Sequence, residues 1–155
     1  MPLSSREPPP GVQKMTQGLS AEELFGTPYW IIDILPEQVP AGSPGQYFNI
    51  ERYLMAPPRR RAVKQKHAGL ILKANCYLDI SLDEGKTFNP PPEQIAEKIC
   101  TERALVMIGD AMLVSEPDDT YITVYNPDES LLRMLRVLAA GEGLYLWKPG
   151  QAEAE

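Results

Sequence analysis

The residues best suited to bind a charged partner are concentrated in one segment, between Arg52 and Lys73. Seven of the fifteen Lys and Arg side chains fall there, and the segment contains no Asp or Glu. The rest of the chain holds 21 acidic and eight basic side chains, a net charge of −13, against −6 for the whole chain. An acidic protein with one basic region has a polar electric field that steers charged partners. The candidate contact residues are Arg59, Arg60, Arg61, Lys64 and Lys66.

Aromatic side chains lie next to this segment, and Tyr47, Phe48 and Tyr53 are the candidate anchors of a contact surface. Aromatic residues beside arginines are typical of protein interfaces, where they supply buried area and the arginines supply rim charge. This pattern favours a non-enzymatic binding protein, a regulator or inhibitor that acts through protein–protein contacts. A solvated helix whose charges pair with the chain's own acidic groups would account for the same residues.

Nucleic acid is the alternative partner of the basic segment 52–73. Arginines bind phosphates and aromatic rings stack on bases. The net charge of −6 argues against sequence-independent binding by the whole surface, but leaves binding through this one segment open.

A metal-dependent enzyme is the third class considered, built on Glu116, Asp118 and Asp119. Hard cations bind several carboxylate oxygens, but these residues lack the spacing of a calcium loop and are also typical of a turn. His67 is the only histidine, and we expect it to be solvated at the end of a basic helix. The sequence therefore predicts no catalytic residue, no metal ligand and no cofactor.

Composition predicts one domain of ordinary globular character. The chain has 155 residues, of which 43% are apolar and 23% charged. We expect a disordered arm over 1–18, a folded domain over 19–149 and a short acidic tail over 150–155. No apolar run is long enough to span a bilayer and no secretory signal is recognised. Both cysteines, Cys76 and Cys100, are expected to be buried thiols, which favours a cytoplasmic location.

The first half of the chain predicts a short helix, a strand, two helices and a long strand. Ser20 and Glu23 form a capping-box pattern before a short helical turn. A β-branched and aromatic run predicts a strand over 29–35, a helix is weakly favoured over 46–55, and a basic helix is expected to end near His67. Alternating apolar residues over 70–82 predict a long half-buried strand.

The second half predicts a helix that opens at Pro92 and ends near Thr101, or runs on to Ile108. Two strands follow at 111–115 and 120–125, joined by a turn at 116–119. A last helix capped by Asn126 and a closing strand at 144–147 complete the pattern. The fold class is α+β, a mixed or antiparallel sheet of about five strands with helices mainly on one face. Two βαβ-like halves, as in ferredoxin-like folds, are one possible topology.

Overall fold

A computed structural model describes residues 19–150, which form helices against a single sheet. The α-helices are α1 (Ala21–Leu24), α2 (Tyr47–Met55), α3 (Arg60–Tyr77), α4 (Pro92–Thr101) and α5 (Glu129–Gly141). The strands are β1 (Tyr29–Asp33), β2 (Ser81–Leu82), β3 (Thr87–Phe88), β4 (Ala104–Ile108), β5 (Ala111–Ser115), β6 (Ile122–Tyr125) and β7 (Tyr145–Trp147). A short 3₁₀ turn, Asp83–Gly85, separates β2 from β3.

The seven strands lie in the order β3-β2-β4-β5-β6-β1-β7, and each of the six pairings is antiparallel. The α+β class is confirmed, with more strands than the five expected. The antiparallel pairings do not exclude the ferredoxin-like alternative, because the two parallel strands of a split βαβ unit are separated by an antiparallel strand. Strands β6 and β7, joined by α5, have this arrangement, with β1 between them. The long runs of β4 and β5 pair residue by residue from Ala104↔Ser115 to Ile108↔Ala111.

Helices α3, α4 and α5 cover one face of the sheet. Alternate residues of a strand point to opposite faces, and Val106, Leu113 and Val124 point to the helical side. They pack in one core with Ile71 of α3 and Leu135 of α5. The other face is covered in part by α1, whose Leu24 packs on Met112 and Val114. Three of the five α-helices of residues 19–150 therefore pack on one face of the sheet.

Several local predictions are confirmed by the structure. Ser20 and Glu23 make both hydrogen bonds of a capping box at α1. The strand after Pro28, the weakly favoured helix α2 and the earlier end of α4 at Thr101 are all present. The last helix is capped two residues later than expected: the Asp128 carboxylate, rather than Asn126, accepts a hydrogen bond from the Leu131 amide.

The predicted strand over 70–82 is wrong, and most of it belongs to α3, which runs to Tyr77. The alternation of apolar residues also contains a helical spacing, because His67, Leu70, Ile71 and Ala74 repeat at three- and four-residue intervals. All four are buried. Only Ser81 and Leu82 remain as strand. The predicted end of the basic helix at His67 is wrong for the same reason.

Two substitutions distinguish this helix from the predicted strand. In the strand pattern Cys76 lies on the buried face and Ile71 on the opposite one, whereas in α3 Ile71 is fully buried and Cys76 is exposed. Ile71→Ala is therefore expected to lower the free energy of unfolding by about 2–4 kcal/mol. Cys76→Ala is expected to change it by less than about 0.5 kcal/mol. Urea denaturation measures both, and the reverse order of effects would support the strand.

The expected arm over 1–18 and nearly all of the acidic tail lie outside the described residues. Both cysteines are free thiols; Cys100 is buried as expected, but Cys76 is exposed. None of the helices in residues 19–150 has the length and apolarity needed to cross a membrane.

Candidate functional site

Helix α2 presents large apolar side chains to solvent. Phe48, Ile50 and Tyr53 have exposed fractions of 72%, 50% and 58%. Only Met55 of this nine-residue helix is buried. The reason lies in the spacing: residues 48, 50 and 53 fall outside the narrow stripe that contacts α3, so folding alone leaves them uncovered. Ile50 and Tyr53, three residues apart, share one side of the helix, whereas Phe48, two residues from Ile50, points to a different side. Exposed apolar groups of this size make α2 a candidate interaction surface.

The arginines at the start of α3 continue this surface. The guanidinium carbon of Arg59 lies 3.6 Å from the centre of the Tyr53 ring, and its Nε donates a hydrogen bond of 2.7 Å to the Tyr53 carbonyl oxygen. Arg61 forms an exposed ion pair of 3.1 Å with Glu97 of α4, and Arg60 is half-buried. We call the combined region the α2–α3 surface; it consists of Phe48, Ile50, Arg52, Tyr53, Arg59, Arg60 and Arg61.

Tyr47 and Lys66 do not form part of this surface. Tyr47 is half-buried, packs edge-on against Phe48 and donates a weak hydrogen bond of 3.4 Å to Glu51. Burial and the nearby Glu51 carboxylate raise the pKa of Tyr47 to about 12. Lys66 is exposed, but its ammonium lies near Gly143 beyond the end of α5. Tyr47 therefore supports Phe48 from behind, and Lys66 belongs to the opposite flank of α3 from Arg61.

Lys64 lies inside the protein, away from the α2–α3 surface. Its side chain is fully buried, and its ammonium donates hydrogen bonds to Ser115 Oγ at 3.0 Å and to the Glu116 carbonyl at 2.6 Å. A longer contact of 3.4 Å reaches the Asp119 carbonyl. Burial lowers the pKa of Lys64 to about 8, although nearby acidic groups act in the opposite direction. This lysine holds the β5–β6 turn against α3 and is not accessible to a partner.

His67 is also buried, one helical turn after Lys64, and the expectation of a solvated histidine is wrong. It lies in the middle of α3, which continues to Tyr77. Its Nε2 lies 3.0 Å from the Thr120 carbonyl, so the Nε2–H tautomer donates this hydrogen bond, while Nδ1 has no partner. Burial lowers the pKa of His67 to about 3, and the Lys64 charge contributes. The imidazole is therefore neutral at physiological pH.

The turn at 116–119 holds the acidic residues considered for a metal site. Burial raises the pKa of Asp119, and Asp118 and Glu116 contribute to the shift. Glu116 pairs with Arg103 at 2.9 Å. Within residues 19–150 no group of three or more His, Cys, Asp and Glu side chains is arranged to hold a metal ion. The cation bound at this turn is the Lys64 ammonium.

The sequence pattern named Phe48, Tyr53 and the three arginines as candidate contact residues and did not name Ile50, which is also exposed on α2. It also missed the internal roles of Lys64 and His67. On a helix that continues to Tyr77, Lys64 lies one turn before Ala68 and His67 lies one turn before Ile71. Both polar residues therefore fall on the apolar, buried face of this helix.

Comparison with known proteins gives no match for this chain among family models, curated proteins or solved structures. What the site does is therefore inferred from its own geometry.

Proposed function

We propose that this chain is a non-enzymatic regulator or inhibitor that binds another protein through the α2–α3 surface. The observation that carries the proposal is the exposure of Phe48, Ile50 and Tyr53 on one helix, with the Arg59 guanidinium stacked on the Tyr53 ring. Burying such side chains in a complex contributes about 25 cal/mol per Å² of apolar area removed from water. A folded chain that leaves them exposed has this free energy available for association.

The types of residue favour a protein partner. Tyrosine and arginine are over-represented among the residues that dominate binding energy at protein interfaces. Arg59 is already held in place by the Tyr53 ring and carbonyl. Because this side chain loses little freedom on binding, the ordering cost that normally opposes association is reduced.

The charge of the surface favours an acidic partner. The four arginines Arg52, Arg59, Arg60 and Arg61 have one carboxylate partner among the described residues, Glu97. Their field attracts a negatively charged surface, while the acidic remainder of the chain disfavours approach in other orientations.

The free thiols Cys76 and Cys100 are consistent with a reducing compartment, and we place the interaction in the cytoplasm on that basis.

The test is affinity capture from native lysate with wild-type bait and with a Phe48→Ser/Tyr53→Ser bait. The double variant is expected to lose a discrete protein that the wild type retains, by at least about tenfold, because two anchor side chains are removed. The matched control is Phe88→Ser, which removes an aromatic ring that is 54% exposed on the remote strand β3. This control is expected to retain the partner.

Charge reversal provides the second comparison. Arg59→Glu/Arg60→Glu is expected to abolish capture, while Arg133→Glu/Arg136→Glu on the exposed side of α5 leaves it unchanged. Recovery that disappears after nuclease treatment and falls steeply with salt would contradict a protein partner and assign the surface to nucleic acid. Equal capture by all baits would show that the α2–α3 surface is not the binding site.

A further inference from the structure

A shallow cavity of about 400 Å³ adjoins the α2–α3 surface. It lies between the start of α3, the end of α4 and the turn that joins β5 to β6. Three prolines form apolar parts of its lining, and the polar lining consists of Arg60, Arg61, Cys100, Thr101 and Asp118.

Positive charge converges on this cavity from α3. Arg60 and Lys64 are four residues apart and therefore lie on the same face of the helix. The Lys64 ammonium donates a hydrogen bond to the Glu116 carbonyl in the loop between β5 and β6. Arg60 therefore faces the same loop, and it lies closer to solvent because it is at the start of the helix. Burial raises the pKa of the Cys100 thiol, and Arg61 and Lys64 act in the opposite direction.

The guanidinium of Arg60 has no carboxylate partner in the described part of the chain. Arg60 is partly exposed as a residue, and an anion that accepts hydrogen bonds from its guanidinium stabilises the charge. The first amides of α3 do not supply an anion site themselves, since those of Arg60 and Arg61 already donate to the Ala56 and Pro58 carbonyls. An anion in the cavity would therefore accept hydrogen bonds from side chains rather than from the backbone amides at the start of α3.

We propose that this cavity receives a carboxylate side chain, Asp or Glu, from the protein partner and holds it against Arg60, beside the ion pair that Arg61 forms with Glu97. This inference rests on the proposed function, because the cavity shares both arginines with the α2–α3 surface. A partner carboxylate fits better than a free phosphate, since Arg61 is paired with Glu97 and Arg60 is left as the one lining cation without an ion pair among the described residues, which suits a single negative charge. The proline walls provide apolar contact for the methylene groups that carry such a carboxylate.

The experiment is an NMR titration of the isolated protein with a capped tri-aspartate peptide, its tri-asparagine counterpart and inorganic phosphate. The acidic peptide is expected to shift the amide resonances of Cys100, Thr101 and Asp118, and the neutral peptide to leave them unchanged. Arg60→Gln is expected to weaken the affinity for the acidic peptide about tenfold, because one charge-assisted hydrogen bond is lost. Asp118→Asn is expected to tighten it about threefold by removing a like charge. Arg133→Gln on α5 serves as the control and is expected to have no effect.

Two results would overturn the assignment. If phosphate shifts the same resonances at lower concentration than the acidic peptide, the cavity is a site for a free anion. If neither ligand shifts them at millimolar concentration, the arginines do not form an anion site. The capture experiment is independent of this outcome: loss of the partner with Phe48→Ser/Tyr53→Ser, without peptide binding here, would retain the α2–α3 surface and remove only its carboxylate pocket.

Discussion

Lowering the pH from 7 to 4 is expected to remove about 3 kcal/mol of stability through His67 alone. The pKa of the buried imidazole is about 3 in the native protein and about 6.5 in the unfolded chain. Between these values the unfolded chain takes up a proton that the native protein does not, so the free energy of unfolding falls as the pH falls. The contribution is present in full above pH 6.5 and is lost progressively below it.

Two carboxyl groups oppose this effect over the same range. Burial raises the pKa of Asp33 and of Asp119, so their protonation favours the native protein as the pH falls. The His67 contribution is isolated by comparing wild type with His67→Gln, whose amide has no titration and can still donate to the Thr120 carbonyl. Urea denaturation at pH 7 and pH 4 measures both proteins. The variant is expected to lose about 3 kcal/mol less than wild type over this interval; an equal loss would mean that His67 is solvated or already protonated.

Replacing Lys64 with methionine is expected to lower the free energy of unfolding by about 2–4 kcal/mol at pH 7. Two effects compete at this position. Removing a buried ammonium recovers its desolvation cost, which favours the variant. The same change leaves the Ser115 hydroxyl and the Glu116 and Asp119 carbonyls without their donor. The second effect is expected to dominate because these oxygens lie in a turn that α3 covers and water does not replace the lost donor.

Lys66→Met is the matched control for this prediction. It removes the same functional group two residues away on α3, but Lys66 is exposed, and surface substitutions of this kind change stability by less than about 0.5 kcal/mol. Equal unfolding free energies for the two variants would contradict the internal role of Lys64. A Lys64→Met protein more stable than wild type would show that desolvation outweighs the three hydrogen bonds.

The sequence predicts an element well where one period alone explains its residues. The capping box at Ser20, the strand Ala111–Ser115 and the last helix, α5, each fit a single structure, and each is present. The segment 70–77 fits two periods at once, and from the sequence alone the strand pattern is preferred, so the basic helix is expected to end near His67. Packing against the sheet favours the helical period over the two-residue period of a strand, because it buries Ile71 and leaves Cys76 exposed.

In the candidate site, too, features set by the local sequence are easier to predict than features set by distant residues. The exposure of Phe48 and Tyr53 follows from their place on a short helix with room for only one buried stripe. In the sequence, their residue type and their position beside the arginines indicate them, although a helix is only weakly favoured there. The burial of Lys64 does not follow from its own segment. It depends on Ser115 and on the turn carbonyls more than fifty residues away, which the β5–β6 pairing brings to α3. Long-range polar contacts of this kind leave no periodic signal in the sequence.

Site-specific photocrosslinking in native lysate tests the α2–α3 surface most directly. A photoreactive phenylalanine analogue replaces Ile50 on α2 in one protein and Val137 on α5 in the other, positions with exposed fractions of 50% and 71%. A discrete adduct of protein and partner is expected from position 50 and not from position 137, and it is expected to disappear with Arg59→Glu/Arg60→Glu. An adduct formed from position 137 but not from position 50 would contradict the assignment of the binding site to α2 and α3.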